Sequence, residues 1–221
     1  MKHGVVTLLD VLGWKGIWQR YGGDEAQPIR KLLALVEMAK QFLEHYEKNQ
    51  GSQNYFSCTC YCKVICLSDT VIMTTWADEN DKGFIERTLE FHAQVCASLI
   101  RYSIIAGIPF RGATTAGKFI IEGDSFIGPA IDEVAQWYEL ADWIGVIFTP
   151  SAKMLYTNKF GHGKLYDVPL KNGVYNTICV NWPLGAWLHN RWNGLVWNND
   201  ILDNIDSEPK DKEALKGGGL I

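Results

Sequence analysis

The chain has 221 residues, 47% apolar, 21% charged and 12% aromatic, with a formal charge of -4. That balance excludes a disordered or collagen-like chain. It also excludes a polybasic binder of duplex nucleic acid or anionic membrane, which needs clustered Lys and Arg. One globular domain with a full core remains, with at most an appendage.

In chain order, Gly4-Val5-Val6-Thr7-Leu8-Leu9 reads as a short buried strand that stops at Asp10. The run is too short for a secretory core with a cleavage site. Nowhere do the roughly 20 apolar residues of a membrane span occur together, so a cytoplasmic location is expected. A short helix is predicted over Trp14–Tyr21, closed by Gly22-Gly23-Asp24. Pro28 sits in the first turn of a long helix that carries Ile29, Leu32, Leu33, Val36, Ala39, Phe42 and Leu43 at helical spacing.

Tyr55–Leu67 and Val71–Trp76 are strand-forming runs joined by Ser68-Asp69-Thr70, a hairpin pattern. A second long helix is predicted over Phe84–Ala106, stopped by Gly107 and Pro109. Phe110–Ala116 and Lys118–Glu122 read as two strands around Gly117. Gly128-Pro129 opens a helix through Ala141, Val146–Phe148 is a strand, and Thr149-Pro150-Ser151 caps a further helix. Strand material follows over Tyr166–Trp182, then a Trp-rich helix (Trp187, Trp192, Trp197) and a charged tail ending in Gly217-Gly218-Gly219. This order predicts an α+β domain over 1–183, with two long helices covering one face of a largely antiparallel sheet, and an extension over 184–221.

Cys58, Cys60, Cys62 and Cys66 crowd one segment, while Cys96 and Cys179 stand alone. There is no Cys-x-x-Cys spacing for zinc, and strand neighbours two apart are poorly placed for a disulfide. Reduced, buried thiols fit better.

Two acids draw attention. Asp10 is held at a strand end and Asp69 at a hairpin tip. If the strands are neighbours, the carboxylates converge and need a shared proton or divalent cation. Oxygen ligands of this kind suit Mg²⁺ or Mn²⁺. The alternative is that each Asp merely ends a strand or forms a turn.

Four segments resemble the motifs of class III nucleotide cyclases, in family order. Leu9-Asp10-Val11-Leu12-Gly13-Trp14 resembles the first metal motif, and Leu67-Ser68-Asp69-Thr70-Val71 the second. Arg111-Gly112-Ala113-Thr114-Thr115-Ala116-Gly117 resembles the strand whose Arg binds triphosphate. The segment from Phe126-Ile127-Gly128-Pro129 to Val134-Ala135 resembles the glycine-opened helix that follows. The fold implied is the ferredoxin- or palm-like cyclase core.

The departures matter too. The family's purine-reading Lys and Asp fall at Ile65 and Ser125, and its transition-state Asn and Arg at Asp132 and Gln136. Arg111 and Lys118 are the candidate basic substitutes. Together with Tyr166-Asp167-Val168-Pro169-Leu170 and Val180-Asn181-Trp182-Pro183, this pattern resembles the pyrimidine cyclases of bacterial Pycsar antiphage systems. The resemblance implies conversion of UTP or CTP, with UTP favoured, to a 3′,5′-cyclic monophosphate by two Mn²⁺ or Mg²⁺ ions. It further implies a homodimer with interfacial sites and an effector that responds to the product. Asp10 and Asp69 would hold the ions with the carbonyl of Val11. Arg111 would clamp phosphate, and the amides of Leu12, Gly13 and Trp14 would face the triphosphate. The competing readings are a catalytically silent dimerisation or binding module and a purine cyclase with unusual base recognition.

Overall fold

Strand β1 (Lys2–Val11) is buried from Gly4 to Leu9, which places it in the middle of a sheet rather than at an edge. It pairs antiparallel with β3 (Thr70–Ala77) on one side and β4 (Phe110–Glu122) on the other. The computed structural model describes residues 1–21, 24, 26–49, 59–78, 83–157 and 161–183, with Trp18 and Asn49 by their backbone alone. The predicted extension over 184–221 lies outside the described residues, as do Gly22, Gly23 and Tyr55 to Cys58.

The remaining strands are β2 (Cys60–Leu67), β5 (Ser125–Ile127), β6 (Gly145–Phe148), β7 (Gly163–Leu170) and β8 (Gly173–Val180). The sheet runs β2-β3-β1-β4-β6-β8-β7, with β5 folded back on β4. Among the described strands, β4 and β6 pair in parallel and every other pairing is antiparallel. The expected largely antiparallel α+β layout is therefore present, and the run from Tyr166 to Trp182 resolves into part of the β7–β8 hairpin and its exit.

Alternation along β1 explains the layers, because successive strand side chains point to opposite faces. Val5, Leu9 and Val11 join the larger core beneath α2 (Ala26–Asn49) and α3 (Phe84–Ile105). Val6 and Leu8 join a second core on the other face, where α4 (Pro129–Leu140) brings Ala130 and Val134. The two long helices cover one face as expected, and α4 adds a layer on the opposite one. Within α2, Leu32, Val36, Ala39, Phe42 and Leu43 are buried, whereas Ile29 and Leu33, one turn apart, lie on the exposed stripe. No described helix is long and apolar enough to cross a membrane.

Two local expectations change. The helix predicted over Trp14–Tyr21 is only α1 (Ile17–Arg20), because Gly13 and Gly16 both take positive φ, 72° and 86°, and carry the chain through turns first. The two strands predicted around Gly117 are one: β4 continues through it, with Gly117 opposite Gly4 on β1. A Cβ at Gly117 would stand 3.4 Å from that of Ala130, so this glycine marks a close helix–sheet contact. Of the strand predicted over Tyr55–Leu67, the described part is β2 from Cys60 to Leu67.

Cys60, Cys62, Cys66, Cys96 and Cys179 are free thiols. A polar thread crosses the main core. His92, fully buried, is bonded through Nδ1 to the Thr7 hydroxyl at 2.8 Å and through Nε2 to that of Thr75 at 2.9 Å. Burial drives its pKa down to about 3, so the ring is neutral.

Candidate functional site

Antiparallel pairing brings three chain segments to one end of the central strands. β1 ends there, while β3 and β4 begin there. Asp10 is the register partner of Thr70 on β3 and of Arg111 on β4. The β2–β3 hairpin closes with Leu67 opposite Thr70, which leaves Ser68 and Asp69 as its tip. Ser68 takes a φ of 58°, a left-handed conformation that makes the tight turn. The Asp69 carbonyl accepts the Val11 N–H at 3.3 Å, tying the hairpin tip to the end of β1.

Asp10 faces the α4 side and its side chain is only 13% exposed, against 18% for Arg111. Nε and Nη2 of Arg111 both donate to Asp10 Oδ2, at 3.1 and 3.0 Å, and Nη1 donates to the Ala141 carbonyl at 3.2 Å. Thr70 donates its hydroxyl to Asp10 Oδ1 at 3.4 Å. Burial, reinforced by the charge of Asp69, holds the Asp10 carboxyl above the ordinary aspartate range despite the guanidinium. The two acids thus sense each other, and a single arginine does not compensate both.

Among the described residues, no cluster of three or more His, Cys, Asp and Glu could hold a metal by itself. Asp10 and Asp69 offer hard carboxylate oxygens, near enough for the charge of one to act on the other. Two carboxylates served by a single arginine fit Mg²⁺ or Mn²⁺ when substrate phosphates supply further oxygens.

The turn after β1 is partly committed. Leu12 donates its amide to the Pro109 carbonyl at 2.8 Å, and Trp14 donates to the Val11 carbonyl at 3.4 Å. Of the three amides, Gly13 alone makes no backbone hydrogen bond among the described residues. Its carbonyl accepts Arg20 Nη2 at 2.5 Å. The Trp14 ring packs, half-buried, against the main core.

Other predicted residues fall elsewhere. Lys118 is exposed and sits opposite His3 near the far end of β4, roughly 23 Å along the strand from Arg111. Asp132 and Gln136 are exposed on α4. Ile65 is half-buried on β2, and Ser125 is exposed on β5.

Two arrangements escaped the sequence reading. Tyr138, on α4, lies with its ring 6.0 Å from the Arg111 guanidinium. Burial and the charge of Asp10 push its phenol pKa upward. The signal was available, since Ala130, Val134 and Tyr138 recur at four-residue spacing on the sheet-facing stripe. Lys63, two residues before Ile65, pairs with Asp124, one before Ser125, at 3.0 Å. It also donates to the Gly123 carbonyl and lies over the Phe126 ring at 5.6 Å.

No protein-family profile and no curated protein matches the sequence. Solved structures do. One is the catalytic core of a rhodopsin-guanylyl cyclase with converted specificity, solved in complex with ATPαS. It matches with a TM-score of 0.50 and 12% sequence identity, covering 81% of this chain and 94% of that one. The chain therefore has the fold of a class III nucleotide cyclase catalytic core.

Proposed function

We propose that this chain is a nucleotide cyclase that converts a pyrimidine nucleoside triphosphate, UTP before CTP, to the 3′,5′-cyclic monophosphate and pyrophosphate. The observation that carries the reading is the meeting of Asp10, Asp69 and Arg111 at one end of the central strands of a cyclase-type fold. Ile65 and Ser125, where a purine-reading pair would stand, support the pyrimidine preference. In this reading the site is completed by a second copy of the chain, and the product is a second messenger of antiphage defence that acts through an effector.

The reaction is intramolecular. The ribose 3′-oxygen bonds to the α-phosphorus, the bond from that phosphorus to the bridging oxygen of the β-phosphate breaks, and the 3′-hydroxyl proton is lost. Two Mg²⁺ or Mn²⁺ ions held by Asp10, Asp69 and the Val11 carbonyl would lower the hydroxyl's pKa and neutralise the leaving pyrophosphate. Arg111 offers a planar fork of N–H donors matched to phosphate oxygens. The Gly13 amide is the backbone donor still open beside it. Positioning of the 3′-oxygen in line with the leaving group supplies much of the acceleration.

The test is incubation of the purified chain with each of the four ribonucleoside triphosphates and Mn²⁺, with products separated by chromatography. Cyclic UMP is the expected product, and no product from any nucleotide would leave the silent-module reading in its place. A second reading has its own observation. The Lys63–Asp124 ion pair lies next to the vacated purine-reading positions, which favours a purine cyclase with shifted base contacts. A cyclic purine product that disappears in Lys63→Met would establish that reading instead.

A further inference from the structure

The Arg111 guanidinium does not contact Asp10 symmetrically. Nε and Nη2 converge on one oxygen, Oδ2, while Oδ1 receives only the long Thr70 contact. Its remaining side is fixed independently, by Nη1 on the Ala141 carbonyl and by the Tyr138 ring. We propose that Arg111 is a resident counter-ion for Asp10 that a divalent cation displaces, and that Tyr138 and the Ala141 carbonyl then keep its freed N–H groups at the site for the triphosphate. The proposal rests on the reading of Asp10 as a metal ligand.

The argument is one of shared lone pairs. Oδ2 cannot serve two N–H donors and a cation with full strength, and both partners are largely shielded from water. A cation drawn to the Asp10 carboxylate would compete for Oδ2 and, in taking it, free Nε and Nη2 together. Ala141 follows directly on α4 and is bridged to Leu170, so its carbonyl does not follow the guanidinium. Tyr138 sits one helical turn before it. The released donors stay in place, and cation binding creates a phosphate-binding fork. Tyr138 is on this account a positioning residue for Arg111.

The test is Mn²⁺ binding without nucleotide, read from the free-ion EPR signal, for the unaltered chain, Arg111→Gln and Asp10→Asn. Arg111→Gln is expected to bind Mn²⁺ about tenfold more tightly, since a charge-assisted hydrogen bond no longer competes. Equal or weaker binding by Arg111→Gln, with binding lost in Asp10→Asn, overturns the counter-ion role and leaves the metal site standing. Unaltered binding in Asp10→Asn, or none in any form, overturns the metal reading and this proposal with it. Should Arg111→Gln not fold, Mg²⁺ titration of the unaltered chain decides by ¹⁵N-arginine NMR. The Arg111 Nε–H is expected to shift and exchange faster as Mg²⁺ binds, and an unmoved signal at saturation overturns the proposal.

Discussion

Arg111 and Asp10 are cross-strand partners, and two nitrogens of the first meet one oxygen of the second at 3.0 and 3.1 Å. The pairing depends on backbone register as much as on charge. Sliding β4 by one residue along β1 would turn Arg111 to the opposite face, into the apolar core beneath α3.

Asp10→Asn and Asp69→Asn are each expected to lower cyclic-nucleotide formation by about a hundredfold or more, the scale on which preorganised charge acts in catalysis. Their stabilities should differ. Asp69 is half-buried at a hairpin tip, so its variant should melt near the unaltered chain. Asp10→Asn strips a shielded guanidinium of its anion and should cost about 1–3 kcal/mol. Chromatographic product assays beside thermal melts separate the two effects.

His92 makes the core sensitive to acid. The folded protein keeps this ring neutral down to about pH 3, whereas the unfolded chain takes up a proton near the ordinary histidine value of 6.5. Stability is therefore complete above about pH 6.5 and falls as pH drops toward 3, by at most about 1.4 kcal/mol per pH unit. Urea midpoints across that range should show the slope, and His92→Gln, though less stable, should flatten it.

Glu133 ties α4 to the start of α5 (Pro150–Leu155). It accepts the Ser151 amide at 3.1 Å and the Thr115 hydroxyl at 2.8 Å. Burial works to raise its pKa, but hydrogen bonds from Ser151, Thr115 and Thr149 outweigh burial and hold it below the ordinary glutamate value. Its contribution is present above about pH 4.5 and is lost as pH falls through the lower folded value. Glu133→Gln is expected to cost about 1–2 kcal/mol at neutral pH, measured by denaturant titration.

Gly112 lies beside Arg111 on β4, opposite Leu9 of β1. A Cβ there would stand 2.3 Å from the Leu8 carbonyl oxygen, a backbone atom that cannot swing away. Gly112→Ala should cost about 2 kcal/mol or more and depress product formation by displacing Arg111. Gly117→Ala, with its nearest contact at 3.4 Å, should be much milder. Melting curves and the product assay on both variants give the comparison.

Local patterns carried much of this architecture. The 3.6-residue repeat marked α2 and α3, and Gly107 ended the second of them close to its observed boundary, because helix spacing and stop signals act within a few residues. Gly117 misled for a related reason. Read locally, a glycine breaks a strand, but here it accommodates Ala130, a residue brought to it by the packing of α4. Ile29 and Leu33 likewise fit the repeat yet lie on the exposed stripe, since periodicity identifies an apolar stripe without fixing how far round the helix the neighbours reach.

From the sequence alone came the two acids at element ends, the hairpin that carries one of them, and the family likeness that linked them to Arg111. Tertiary structure decided the rest. It chose which strand ends meet, turned Arg111 onto Asp10, set Tyr138 above it and paired Lys63 with Asp124. Secondary structure is written in short-range periodicity, but contacts between residues far apart in the chain are set by strand order and register, which belong to the whole sheet.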